Sequence, residues 1–361
     1  MLPGGKLVPQ TVLSVPGPIR PVGEFSEPTV PAVDELDHCI IHALRIDGRA
    51  PFSRIAEVLG VSTQTVARRY GRLSSELSLR VVGVVNPRQA SGGKWILRLT
   101  ASPNTAQSVA QSLARRDDTT WVRLVSGGTE ICFVMSSTAH HTLLFREIPR
   151  AANIADVSAH RLLHTYLGGP TAWQGHTTAL TNEQQEQLRR ALDSSDDADE
   201  SKFRSSLTQA DWHLLAALQH NGRISYTGLA SETGQSPSTI TRRLAALQAS
   251  GMLTFDVEIS AEVYGITTQA LLWMSVAPAH LNQVASTLIQ HRELAFLAST
   301  TGPTNLVGLV LCKSPSELHD YLADRLSALD SIRMLETSPV QRTLKTRSPF
   351  LQSSPRRSNS A

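Results

Sequence analysis

The sequence predicts an α+β protein made of two tandem units, each a bundle of three short helices followed by a β-α-β-β-α-β domain. Three observations predict it. At 361 residues the chain exceeds the roughly 250 at which a single core stops growing. A stretch near the amino terminus recurs further along at a fixed offset, and a recurrence of this kind marks a repeated structural unit. After each recurrence, apolar residues switch between strand and helix period in the same order.

The recurrence carries most weight. Asp37 aligns with Asp211, an offset of 174 residues, and the same offset pairs Ala43 with Ala217, Leu44 with Leu218, Gly48 with Gly222 and Arg49 with Arg223. It continues without a gap through Ala56/Ala230, Gly60/Gly234, Ser62/Ser236, Thr65/Thr239, Arg68/Arg242, Arg69/Arg243 and Leu73/Leu247. Those 12 identities fall in the 42 positions from Asp34 to Ser75, where ordinary composition yields roughly 2 or 3.

Each copy reads as three helices. Asp34-x-x-Asp37 and Thr208-x-x-Asp211 have capping-box spacing, and the shared aspartate falls in the first turn, where the helix dipole favours a negative charge. Ile40, Ile41 and Leu44 form one buried stripe; Asp47-Gly48 and Asn221-Gly222 are expected to end the helix, with glycine in the left-handed region. A second helix starts after Ser53 or Thr227 and stops at Gly60 or Gly234. Ser62 and Ser236 cap a third, which buries Val66, Tyr70, Leu73 and Leu77 or Ile240, Leu244 and Leu247.

This is the spacing of a helix-turn-helix: a small alanine (Ala56, Ala230), a turn glycine four residues on, and a branched apolar residue six beyond that (Val66, Ile240). A third helix presented in this way fits the major groove of double-stranded DNA, where arginine grips guanine in a bidentate fashion. The candidate DNA-binding residues are Ser62, Thr63, Gln64, Thr65, Arg68, Arg69 and Arg72 in the first copy, and Ser236, Ser238, Thr239, Arg242 and Arg243 in the second. The second copy has Arg223, Arg242 and Arg243 against Asp211, Glu232, Asp256 and Glu258 between Leu207 and Glu258, so alone it should bind DNA weakly.

Behind each bundle the order is β-α-β-β-α-β, a ferredoxin-like arrangement. The first runs through Lys94–Thr100, Asn104–Arg115, Thr120–Val125, Glu130–Met135, a helix near Ala139–Ile148 and a strand around Asp156–Thr165. The second runs through Gln269–Ala277, Ala279–Gln290, Leu294–Ser299, Asn305–Cys312, Pro315–Leu329 and Ser331–Glu336. The domain plan is then a proline-rich arm (1–32), helix-turn-helix one (33–87), a ferredoxin-like effector or assembly domain (92–168), an acidic solvated linker (169–206), helix-turn-helix two (207–262), a second such domain (267–345) and a basic tail (346–361).

With Ser62-Thr63-Gln64-Thr65-Val66-Ala67-Arg68-Arg69 ahead of Val81-Val82-Gly83-Val84-Val85-Asn86-Pro87, and Ser236-Pro237-Ser238-Thr239-Ile240-Thr241-Arg242-Arg243-Leu244 ahead of Ala249-Ser250-Gly251-Met252-Leu253, the chain resembles the Lrp/AsnC (leucine-responsive regulator) family in tandem duplicated form. The resemblance implies sequence-specific DNA binding, homo-oligomer assembly through the ferredoxin-like domains, and an amino-acid effector held near loops after the second strand. Those loops are Gly127-Gly128-Thr129-Glu130 and Gly302-Pro303-Thr304-Asn305, which puts Gly302, Thr304 and Asn305 beside Gly127 to Glu130 as effector candidates. Neither has the family's aspartate, and both read equally as hairpin turns.

Other classes find less support. Charge is nearly balanced, 34 Lys+Arg against 31 Asp+Glu, and 41% apolar content argues against wholesale disorder. No run reaches the roughly 18 apolar residues that span a bilayer, and five prolines break up Met1–Gly23, unlike a secretion signal. Cys39, Cys132 and Cys312 are too scattered for a disulfide framework or a CxxC zinc site. The expectation is a cytoplasmic protein without cofactor or metal, and not an enzyme. His38 and His42 lack the glutamate of a zinc signature and flank the apolar stripe; His160 and His164 are two alternations apart and should share a sheet face. These two with Tyr166 alone invite an alternative, a tetrapyrrole enzyme similar to the siroheme decarboxylases of the same superfamily; a partner-binding scaffold is a third.

Overall fold

The computed structural model describes residues 33–85, 93–136, 148, 154–168, 179–193 and 207–346. The proline-rich arm, the Asn86-Pro87 turn, the helix near Ala139–Ile148 apart from Ile148, and the basic tail apart from Thr346 lie outside them.

The first bundle is α1 (Glu35–Ile46), α2 (Phe52–Leu59) and α3 (Thr63–Glu76), leading into β1 (Arg80–Val85). Its counterpart is α6 (Gln209–His220), α7 (Tyr226–Thr233) and α8 (Pro237–Ala249), leading into β6 (Leu253–Glu258). Both capping boxes form: Asp34 and Thr208 accept from the amides of Asp37 and Asp211, whose carboxylates accept in return from the cap amides. Gly60 and Gly234 turn the chain at φ 67° and 68°, as the motif requires. The middle helices begin two residues earlier than expected, after Pro51 and Ser225.

Gly48 and Gly222 serve another purpose than the one expected. Neither has positive φ; a Cβ on Gly48 would lie 2.7 Å from Phe255 Cβ, and one on Gly222 would lie 3.0 Å from the Val81 carbonyl. The glycines let the two bundles approach. Beside them Arg49 donates to the carbonyls of Gly222 (2.6 Å) and Ile224 (2.9 Å), while Arg223 donates to those of Gly48 (2.7 Å) and Ala50 (2.9 Å). Arg49 stacks on Tyr226 and Arg223 on Phe52, with ring centroids 5.0 and 4.5 Å away. Every one of these pairs is related by the 174-residue offset, so the contacts are reciprocal about a pseudo-two-fold axis.

The single-strand wings complete this symmetry. β1 pairs antiparallel with β6, Val82 facing Asp256 across the centre at the same 174-residue separation, with Val81–Val257 mirrored by Gly83–Phe255. Among the described residues neither wing strand pairs within its own unit; the two strands form one ribbon between units.

The remaining strands are β2 (Lys94–Ala101), β3 (Thr119–Val125), β4 (Glu130–Ser136) and β5 (Ile154–Gly168) in one unit, and β7 (Thr268–Val276), β8 (Leu294–Thr300), β9 (Leu306–Cys312) and β10 (Ile332–Thr343) in the other. They close an eight-stranded antiparallel barrel in the order β10-β3-β4-β2-β5-β8-β9-β7. Each unit donates a four-stranded ferredoxin-like sheet, and the seams β5–β8 and β10–β3 leave no free edge. α4 (Pro103–Ala114) covers the first sheet outside; α9 (Leu281–Leu288) and α10 (Pro315–Asp320), which runs on into a π-helical segment at Tyr321–Leu326, cover the second. Strands buried on both faces explain apolar runs without alternation, such as Leu306–Cys312.

The acidic segment corrects an expectation. Within the stretch read as a solvated linker, residues 182–193 form α5 (Asn182–Asp193), which docks on the first bundle. Leu180 and Leu188 enter its core, Gln184 donates to the Val58 carbonyl and Arg54 to that of Gln187. Glu183 and Glu186 stay exposed on the other side of this amphipathic helix.

Candidate nucleic-acid interface

Ser62 Oγ accepts from the Thr65 amide at 3.1 Å and Ser236 Oγ from the Thr239 amide at 3.2 Å, which fixes the start of α3 and α8. Thr63, Gln64 and Arg68 are exposed on α3; Ser238 and Arg242 are exposed on α8. Both helices thus present an amino-terminal polar face with one outward arginine.

The other arginines point elsewhere. Arg69 bonds both Asp34 and Asp37, Arg72 bonds Asp37, and Arg243 forms a fork on Asp211. The Asp37 side chain is fully buried and that of Asp211 is 2% exposed. Arg69, Arg72 and Arg243, expected on the reading face, instead tie the third helix to the start of the first. Helical geometry explains it: positions 69 and 72 lie one turn apart, on the flank between the core stripe and the face that carries 64 and 68. Burial works against ionisation of Asp211, but the hydrogen bonds from Arg243 and Thr208 outweigh it and hold the carboxyl below its ordinary value of 3.8.

Among the effector candidates, Gly127 and Gly128 adopt φ of 75° and 80° in an exposed turn, and Thr129 donates to the Ser126 carbonyl. The polar groups of Glu130 and Asn305 are engaged: Glu130 with Arg98 and Ser126, Asn305 in a two-way bridge to the Val276 backbone. Thr304 is buried, and Gly302 gives room to His160, whose Nδ1 would lie 2.3 Å from a Cβ there. His160 and His164 do not share a face. A register shift between Leu162 and His164 breaks the alternation, so His160 is buried against Trp273 while His164 is exposed, edge-on to Tyr166. His42 accepts from the Leu180 amide and half-buried His38 packs on Tyr264, so the pair serves packing.

Two outward-facing, capped helices tied by a symmetric ribbon define a tandem helix-turn-helix regulator. The comparisons agree. An AsnC-type helix-turn-helix domain matches residues 33–74, a winged helix-turn-helix DNA-binding domain 207–254, and an Lrp/AsnC ligand binding domain 269–350. An uncharacterized HTH-type transcriptional regulator of Pyrococcus furiosus is 30% identical over 133 residues, which cover 37% of this chain and 90% of that protein. HTH-type transcriptional regulator FL11 of Pyrococcus abyssi is 27% identical over 144 residues (40% and 95%), and regulatory protein AsnC of Escherichia coli is 27% identical over 142 (37% and 93%). The chain belongs to the Lrp/AsnC family of helix-turn-helix transcriptional regulators. Each of these relatives corresponds to about one of its two units. Across the whole chain, the fold resembles that of the siroheme decarboxylase NirDL, with a TM-score of 0.59 at 12% identity over 88% of this chain and 94% of that one. Among the described residues, no helix is long and apolar enough to cross a membrane and no group of three or more metal-ligating side chains gathers.

Proposed function

We propose that the chain is a sequence-specific DNA-binding regulator that brings both halves of a dimeric reader to the duplex in one polypeptide. The observation that carries this is the reciprocal ribbon and arginine contacts, which hold two helix-turn-helix units about one pseudo-two-fold axis with Arg68 and Arg242 outward. Two readers so held match half-sites on successive turns, roughly 34 Å apart. The faces differ, Gln64 and Ala67 against Ser238 and Thr241, so the operator is imperfectly palindromic. Such a protein works in the cytoplasm, binds a small effector in its barrel domains and associates further through them. A mobility shift with the DNA upstream of its own gene, at two salt concentrations, tests the reading; binding that is absent at low salt contradicts it.

The likeness to NirDL supports a second reading, a tetrapyrrole enzyme with the same fold. Titration with siroheme followed by Soret absorbance separates the two, because only the enzyme reading predicts a stoichiometric complex.

A further inference from the structure

The barrel interior contains an arginine that no carboxylate of the described residues touches. Arg123 on β3 faces Cys132 on β4, Cys132 faces Arg98 on β2, and Arg98 faces Ser158 on β5. Directly opposed residues share a face, and this row faces inward, with Cys132 in the interior core and Arg98 4.6 Å from the Trp273 ring centroid. The matching row of the second unit reads Ala298, Val307, Trp273 and Glu336. It supplies one acid. Arg98 takes it together with Glu130.

Arg123 is left over. It is only 7% exposed, its Nε has no hydrogen-bond partner, and among the described residues its guanidinium meets no carboxylate. It lies over the Trp121 ring, 4.8 Å from the centroid. Trp121 holds φ at +55°, a left-handed conformation unfavourable for a bulky side chain, inside a register shift between Thr120 and Arg123. Backbone held in this way often belongs to ligand clamps. Burial brings the Arg123 guanidinium down to about 10, which still leaves it charged at neutral pH.

We propose that Arg123 anchors a carboxylate-binding site inside the barrel, whose ligand is a small organic monocarboxylate with its apolar part against Trp121 and Val125. Arg98 already holds both acids of this cluster, so no carboxylate among the described residues touches the Arg123 guanidinium, and its fork fits the carboxylate of a ligand. The apolar neighbours, Trp121, Val125 and Cys132, favour a hydrocarbon body over a second charge. The inference rests on the reading of the barrel as the effector-binding part of a regulator.

The test uses the intact chain, with isothermal titration and thermal melting against benzoate and 4-methylpentanoate, their neutral amides, and inorganic phosphate. At least one carboxylate should bind saturably and raise Tm while its amide does not. Arg123→Met should weaken that binding at least about tenfold, and its ligand-free Tm should be no lower than that of the parent, since a buried unpaired charge has been removed. Arg123→Lys keeps the charge, loses the fork and should bind more weakly than the parent, which covers the case of a poorly folding methionine variant. Failure of both carboxylates to bind, equal binding of the amides, preference for phosphate, or unchanged affinity in Arg123→Met would each overturn the proposal. A mobility shift on the same samples keeps the two readings apart: retained DNA binding without carboxylate binding defeats this site alone.

Discussion

Adjacent arginines on the third helix of each bundle divide between surface and fold. Arg68 and Arg242 project outward, whereas Arg69 and Arg243 turn to Asp37 and Asp211. Arg68→Ala should weaken DNA binding by about 1–3 kcal/mol without lowering Tm, as measured by mobility shift and thermal melting. Asp211→Asn should instead cost about 2–3 kcal/mol of stability in urea unfolding, somewhat below the value for a fully buried pair because the Arg243 side chain is 27% exposed. Asp211 also sets a pH response. Its folded carboxyl lies below the ordinary 3.8, so its contribution is complete above that value and is lost as pH falls through the depressed one. Acid unfolding of the second bundle should therefore begin below about pH 4, and the Asn variant should lose that sensitivity. The repeated Arg-Arg pair was visible in the sequence, but which arginine faces outward depends on a buried acid some thirty residues upstream. Its capping position is legible; its burial is not.

At the level of elements, the helices and caps followed local rules and could be read directly: both capping boxes, both serine caps and both turn glycines stand where their spacing put them. What escaped was contact between distant segments. Gly48-Arg49 and Gly222-Arg223 recur because the glycines allow close approach and the arginines bridge the bundles; a helix-ending role explained the same letters equally well. The Arg49→Ala/Arg223→Ala double variant should lower affinity for a two-half-site operator while leaving single half-site affinity unchanged, a split that mobility shifts on both DNAs would reveal. The docking of α5 was hidden by the acidic composition of its segment, which drew attention away from Leu188 on its inner side and Leu180 just before it. Leu188→Ala should cost about 2–4 kcal/mol, read as a lowered unfolding midpoint, because Leu188 fills the core of the first bundle.

Across the whole molecule, each unit's sheet closes on the other's through two equivalent seams, as each unit's wing strand pairs with the other's. The succession of strands and helices along each unit was legible from periodicity, but the seams β5–β8 and β10–β3 join edges far apart in the chain, and no local signal specifies them. The same closure buries His160 and releases His164, against the alternation that should have put them together. It also gives the two halves different interiors: Arg98 and Arg123 in one row, Trp273 and Glu336 in the other. A duplicated chain can let its halves diverge in this way, which identical subunits cannot. The most direct test of the account is hydroxyl-radical footprinting of the intact chain on its upstream DNA, beside Arg68→Ala and Arg242→Ala. Two protected half-sites about one helical turn apart are predicted, with each variant losing protection at a different half. Protection of a single half-site, or an identical pattern from both variants, would contradict it.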